Sequence, residues 1–195
     1  MEVNVIPIGG EAPCRPLREA TQAGITLIEL MVTLAIAGIV LSMAVPTMRD
    51  LVLGNRMTAR INTLVTHLSI GRSEAVVRNR QVVICKSPDG RHCTTAGTWG
   101  DGWILFVDKD RDEHRGGGEP VLRVHGELSG GGSLRYAAFP SSRYLTFEPT
   151  GITNANGTFV FCDSRGAAAA KAVIVSKTGR ARISRRKANG DALEC

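Results

Sequence analysis

The chain has 195 residues, 43% of them hydrophobic and 22% charged, with a formal net charge of +6. Residues 1–164 carry 16 Lys/Arg and 16 Asp/Glu, whereas residues 165–195 carry 8 and 2, so the whole surplus lies in the last 31 residues. This excludes a diffusely basic protein and marks a local polyanion-binding surface instead.

Taken in order, a polar lead-in (Arg18-Glu19-Ala20-Thr21-Gln22-Ala23) gives way at Gly24 to an apolar run from Ile25 to Val45, whose polar members are Thr26, Glu29, Thr33 and Ser42. A helix of that length covers roughly 30 Å, the hydrocarbon thickness of a bilayer. A secretory signal would be shorter and would place its small cleavage residue after the apolar stretch. A core helix of a soluble protein would show a polar face, and this segment shows none. Glu29 is expensive in lipid and requires a partner.

Gly24-Ile25-Thr26-Leu27-Ile28-Glu29 resembles the processing signal of type IV pilins and type II pseudopilins. The resemblance implies a leader, 1–24, cut after Gly24 by a prepilin peptidase, and methylation of the new N-terminus at Ile25. It also implies that Glu29 pairs with the terminal amine of a neighbouring subunit, the carboxylate and the ammonium offsetting each other's desolvation. The segment 25–45 would anchor the chain in the inner membrane and later line a filament core with other pilins. Pro46 fits the proline such helices carry just past the membrane.

The helix is expected to continue over 46–80, because Leu53, Met57, Ile61, Leu64, Leu68 and Ala75 form a stripe of helical period while Arg49, Arg56, Arg60, Arg72 and Arg78 lie mostly off it. Beyond Arg80 the pattern changes to short strands at Gln81–Lys86, Gly102–Val107, Pro120–His125, Leu134–Ala138, Tyr144–Glu148, Thr158–Cys162, Ala172–Ser176 and Arg180–Ser184. Glycine-rich turns at 116–118, at 130–132 and at Gly179 divide them. The expected fold is α+β: a long N-terminal helix, transmembrane in its first half and amphipathic in its second, packed on an antiparallel sheet in an exported head, 81–195. Of five cysteines, Cys14 falls in the leader; the other four allow three pairings. An oxidising compartment favours Cys85–Cys93, closing a short loop, and Cys162–Cys195, pinning the tail.

The stretch from Trp99 through Trp103-Ile-Leu-Phe-Val-Asp108 to Glu119-Pro-Val-Leu-Arg123 resembles the GspH/FimT branch of the pilin family. Trp99 and Trp103 are read as core or strand-edge packing. Asp108, Asp110, Asp112 and Glu119 occupy positions 1, 3, 5 and 12 of a calcium-loop frame, but Glu113 stands where such loops need glycine. An ordinary solvated turn is the expectation, with calcium as the alternative. The four histidines show no metal-ligand spacing, and no nucleophile elbow or phosphate-binding glycine loop is present. The reading is therefore of a protein that is no enzyme and needs no cofactor.

The tail, from Val173 to Lys187, reads as strand, tight turn, strand. Alternation places Ala181 and Ile183 toward the core and Arg180, Arg182, Ser184 and Arg186 outward, with same-face neighbours roughly 6.6–6.8 Å apart. Lys177, Arg185 and Lys187 can join the rim, and Gly179 supplies the turn's positive φ. A row of guanidiniums suits a phosphate backbone; on charge alone, a solvated edge strand whose arginines discourage aggregation is an equal reading. Gly179-Arg180-Ala181-Arg182 is similar to the Gly-Arg-x-Arg motif of the FimT-type DNA-binding minor pilins. That resemblance implies sequence-independent DNA contact through Lys177, Gly179, Arg180, Arg182, Arg185 and Arg186, in DNA uptake by natural transformation. A structural pseudopilin of a type II secretion system is the alternative.

Overall fold

A computed structural model describes residues 24–139 and 141–195; the leader, apart from Gly24, lies outside the described residues. One helix, α1 (Leu27–Arg78), opens the chain. Thr26 caps it, its hydroxyl accepting from the Glu29 backbone N–H at 3.2 Å. Within the processing signal, the Thr26-to-Glu29 spacing is thus also that of a helix start. Every residue from 24 to 45 is exposed, and the helix is long and apolar enough to cross a membrane. The two hydroxyls deepest in this stretch donate to their own backbone: Thr33 to the Leu30 carbonyl at 2.9 Å and Ser42 to the Ile39 carbonyl at 2.7 Å. Polar groups satisfied in this way tolerate lipid.

The chain divides into two compact units at Pro46/Thr47. In the second, helix residues from Thr47 onward share a core with eight strands: β1 (Gln81–Lys86), β2 (Trp103–Asp108), β3 (Val121–His125), β4 (Gly132–Ala138), β5 (Tyr144–Phe147), β6 (Gly157–Asp163), β7 (Lys171–Val175) and β8 (Ala181–Ser184). Each strand read from the sequence is present, β1 with the bounds expected and the others with ends moved by at most two residues. Where one sheet was expected, the strands make two antiparallel sheets of four, in the orders β3-β2-β1-β5 and β4-β6-β7-β8. Strand alternation indicates which residues share a face but not which strands pair, as β1 and β5 do from Val82 with Phe147 to Cys85 with Tyr144.

The helix stripe lies between these sheets. Met57, Ile61, Leu64, Leu68 and Ala75 are at most 1% exposed and pack with Leu105, Leu145 and Phe147 of the first sheet and Leu134, Phe159, Phe161, Val173 and Val175 of the second. Burying side chains of this size stabilises the head by about 1.5–3 kcal/mol each for the larger ones. At Gly71 the helix approaches so closely that a Cβ would stand 3.0 Å from Leu105 and 3.1 Å from Phe147. Trp99 and Trp103 are core residues, as expected. The sequence reading missed a partner for Trp103: its indole Nε1–H donates to His67 Nδ1 at 3.1 Å, and His125 stacks on the ring at 4.0 Å. Burial first, then the nearby His125 and Arg123, push the His67 imidazole below its ordinary pKa. His67 lies well past the 25–45 span, and a neutral ring is what an Nδ1 acceptor requires.

Both expected disulfides are present, Cys85–Cys93 and Cys162–Cys195. Each fastens a segment over the outer face of one sheet. Cys85 and Cys93 join Val83, Ile104 and Phe106 in a small apolar cluster; Cys162 joins Ala172, Ile174 and Leu193 in another. This explains why β1 and β2 are buried on both faces.

Candidate nucleic-acid interface

The basic hairpin is β7, a turn over 176–180, and β8. Register pairs Val175 with Ala181, Ile174 with Arg182, Val173 with Ile183 and Ala172 with Ser184. Cross-strand partners share a face. Ala181 and Ile183 are therefore on the helix side with Val173 and Val175, and Arg182 is on the opposite side with Ile174. The alternation read from the sequence holds for 181–183 but not for Arg180, which lines a groove with α1 instead of sharing the face of Arg182; the burial expected for Ile183 also fails, since it is 54% exposed. β8 is the edge strand of its sheet, so half of its inward surface overhangs the core.

The turn is fixed from three sides. The Gly179 N–H donates to the Ser176 carbonyl at 2.8 Å, and the Ser176 N–H to the Arg180 carbonyl at 3.0 Å. The Lys177 N–H donates to Asn156 Oδ1 at 2.6 Å, while the Lys177 carbonyl accepts from the Thr153 N–H at 2.9 Å. Gly179 has φ of +75°, and a Cβ there would stand 2.2 Å from the Gly151 carbonyl oxygen and 3.0 Å from the Arg72 side chain. No other residue fits this position without displacing backbone.

Lys177, Arg180, Arg182, Arg185 and Arg186 are exposed. Among the described residues, none of the five lies within ion-pair distance of a carboxylate. Arg186 is oriented by its neighbours: its Nη1 donates to the Gly190 carbonyl at 3.1 Å, and its N–H to Ser184 Oγ at 3.0 Å. Arg185 and Arg186 line a groove of about 450 Å³ with Ala167, Ala168, Ala192 and Leu193. Lys187 departs from the expected rim, because its Nζ is bonded to Glu194 Oε1 at 2.6 Å. That hydrogen bond holds the Glu194 carboxyl below the usual carboxylate range.

At the other end of β8, Arg180 and Ala181 form one wall of a groove of about 590 Å³; Ser69, Arg72, Ser73, Val76 and Val77 of α1 form the other, and Gly179 lies between. The sequence identified Arg72 only as a basic residue off the apolar stripe. Its spacing from Ser69 at i−3 and Val76 at i+4 was the available signal for a shared helix face.

The acidic loop differs from the solvated turn expected for it. Asp108 is 1% and Glu119 6% exposed. Asp108 Oδ1 accepts from the Arg111 N–H at 2.6 Å and Oδ2 from the Glu113 N–H at 3.0 Å; Glu119 accepts from the Lys109 and Gly116 N–H groups at 2.6 and 2.8 Å. These bonds hold Arg111 and Glu113 at φ of +65° and +61°, left-handed values costly for side chains of that size. Burial, more than any neighbour, pushes the Asp108 carboxyl above its ordinary pKa. Asp108, Asp110 and Asp112 each place one oxygen within 4.8 Å of the others, while Glu119 is committed to the loop backbone.

The family model described as type II transport protein GspH matches residues 60–179, and that of the prokaryotic N-terminal methylation motif matches residues 20–45. The chain is 31% identical over 168 residues to the pilin-like protein PilA1 of Thermus thermophilus, covering 84% of this chain and 99% of that one. Its fold is similar to the crystal structure of the type IV minor pilin FimU of Pseudomonas aeruginosa, with a TM-score of 0.52 and 22% identity over 67% of this chain and 89% of that one. The helix with its methylation-type N-terminus, the two-sheet head and these matches show that the chain belongs to the GspH family of pilin-like proteins.

Proposed function

We propose that this chain is a minor type IV pilin that binds DNA without regard to sequence, through phosphate contacts, and serves DNA uptake in natural transformation. The observation that carries the proposal is the edge hairpin, whose cations Lys177, Arg180, Arg182, Arg185 and Arg186 are exposed and, among the described residues, free of carboxylates. The resemblance of Gly179-Arg180-Ala181-Arg182 to the FimT-type motif supports it. Guanidiniums around the hairpin edge, Arg180 on its α1 side and Arg182 on the other face, grip phosphates and read no base edges, so affinity follows salt rather than sequence. Before assembly, residues 25–45 would hold the chain in the inner membrane; a prepilin peptidase would cut after Gly24, Ile25 would be methylated, and Glu29 would meet a neighbouring subunit's amine. In the pilus the subunit would stand at or near the tip among other pilins.

The test is DNA binding by the full chain in detergent, comparing wild type with Arg180→Ala/Arg182→Ala. The double variant should bind unrelated duplexes roughly 30- to 100-fold more weakly, with a shallower dependence of log affinity on log salt. Equal binding at moderate salt would sink the proposal. A second reading, a structural pseudopilin of a type II secretion system, is favoured by the description of the matching family model. It predicts no DNA affinity in wild type and a loss of secretion on deletion.

A further inference from the structure

We propose that Arg72 of α1 is a further phosphate-binding residue, and that the groove between α1 and the β7–β8 turn holds a phosphodiester of the bound DNA strand. The inference rests on the DNA reading above and extends its surface from the hairpin onto the pilin helix.

Arg72 is oriented before any ligand arrives. Its Nε donates to the Gly151 carbonyl at 3.1 Å. Gly151 itself occupies a tight turn, its N–H donating to the Glu148 carbonyl at 2.7 Å. Among the described residues, the two Nη groups of Arg72 have no hydrogen-bond or ion-pair partner, and Glu74, the acid nearest in sequence, is taken by Arg78. A guanidinium anchored through Nε presents its remaining N–H fork as a rigid unit, the geometry that meets two phosphate oxygens together.

The groove offers matching groups. Arg180 stands on the facing wall, and the hydroxyls of Ser69 and Ser73, one helical turn apart on the Arg72 wall, have no hydrogen-bond partner among the described residues. Val76 and Val77, 51% and 78% exposed, supply apolar surface beside them that suits a deoxyribose. A volume of about 590 Å³ is within the ~300–1,000 Å³ typical of clefts that accept nucleotide-sized groups. The bare α-carbon of Gly179 keeps the groove in this shape, since a methyl there would strike both Gly151 and Arg72. The glycine of the Gly-Arg-x-Arg stretch thereby acts on the helix arginine as well as on its own turn.

The experiment measures DNA binding by the full chain in detergent across a salt series, for Arg72→Ala, Arg180→Ala, Ser73→Glu, Arg72→Ala/Arg180→Ala and Arg180→Ala/Arg182→Ala. Arg72→Ala should weaken binding roughly tenfold for every sequence and lower the magnitude of the salt slope by about 0.7–0.9, as one lost phosphate contact does. Ser73→Glu places a carboxylate at an exposed helical site where glutamate is well tolerated; it should weaken binding by a similar factor with the melting temperature unchanged, which covers the case in which Arg72→Ala unsettles the fold. If Arg72 and Arg180 grip one phosphate, Arg72→Ala/Arg180→Ala should lose less than the product of the single losses. Wild-type affinity and slope in Ser73→Glu, or a full multiplicative loss in the double variant, overturns the shared site. Weakening in Arg180→Ala/Arg182→Ala alone discards only the groove, whereas no weakening there discards the DNA reading itself.

Discussion

The two charge-dense stretches of the head, 108–119 and 177–187, treat their charges in opposite ways. In the first, Asp108 and Glu119 are buried and spend their oxygens on backbone N–H groups of the same loop. The nearby cations are used there too: Lys109 Nζ donates to the Gly118 carbonyl at 2.7 Å, and Arg115 donates to the Glu119 and Arg91 carbonyls. In the second, five cations face solvent without a carboxylate among the described residues. Charge density reads alike in the two sequences, but what separates a structural staple from a binding surface is whether the charges are already satisfied.

Three measurements can break or sharpen that contrast. Asp108→Ala strips two buried N–H groups of their acceptor and should cost about 2–4 kcal/mol of unfolding free energy in a denaturant titration, with DNA affinity unchanged. A loss below 0.5 kcal/mol, or an effect on DNA, would mean the loop is no internal staple. Glu194→Gln releases Lys187 to the ridge and should raise DNA affinity about two- to threefold and steepen its salt dependence. Unchanged affinity would show that the Lys187–Glu194 ion pair is irrelevant to it. The smallest expected effect is that of calcium. At millimolar concentration, against an ionic-strength control, it should leave the melting temperature where it was, because Asp108 and Glu119 already have their hydrogen bonds. A rise of several degrees would show that the loop exchanges backbone for cation.

Much of this molecule is legible in its residues. The apolar run after Gly24, the helical stripe from Met57 to Ala75 and the eight alternating strands are local patterns, and local patterns survive folding. Cysteine spacing and compartment were enough to favour both bridges. What could not be read is non-local. The division of eight strands into two sheets depends on pairings such as β1 with β5, far apart in the chain. Ile183 has the right parity for the core yet is exposed, because parity says nothing of which strand ends the sheet. Lys187 looked free because Glu194, seven residues on, reaches it only through the turn at 187–191. Arg72 showed no special feature because its significance comes from Gly151 and Gly179, brought beside it by the two tight turns that hold them.

The bond from Cys162 to Cys195 also decides where the chain leads. Leu193 is buried under the outer face of the second sheet, and the backbone carbonyl of Glu194 accepts from Arg135 at 2.9 Å. Whatever continues past Cys195, an affinity tag included, issues at β6, on the outer sheet face that also carries Ile174 and its cross-strand partner Arg182. An acidic or histidine-rich fusion at that terminus would mask part of the cationic ridge, so purification handles on this subunit belong in a surface loop distant from β8.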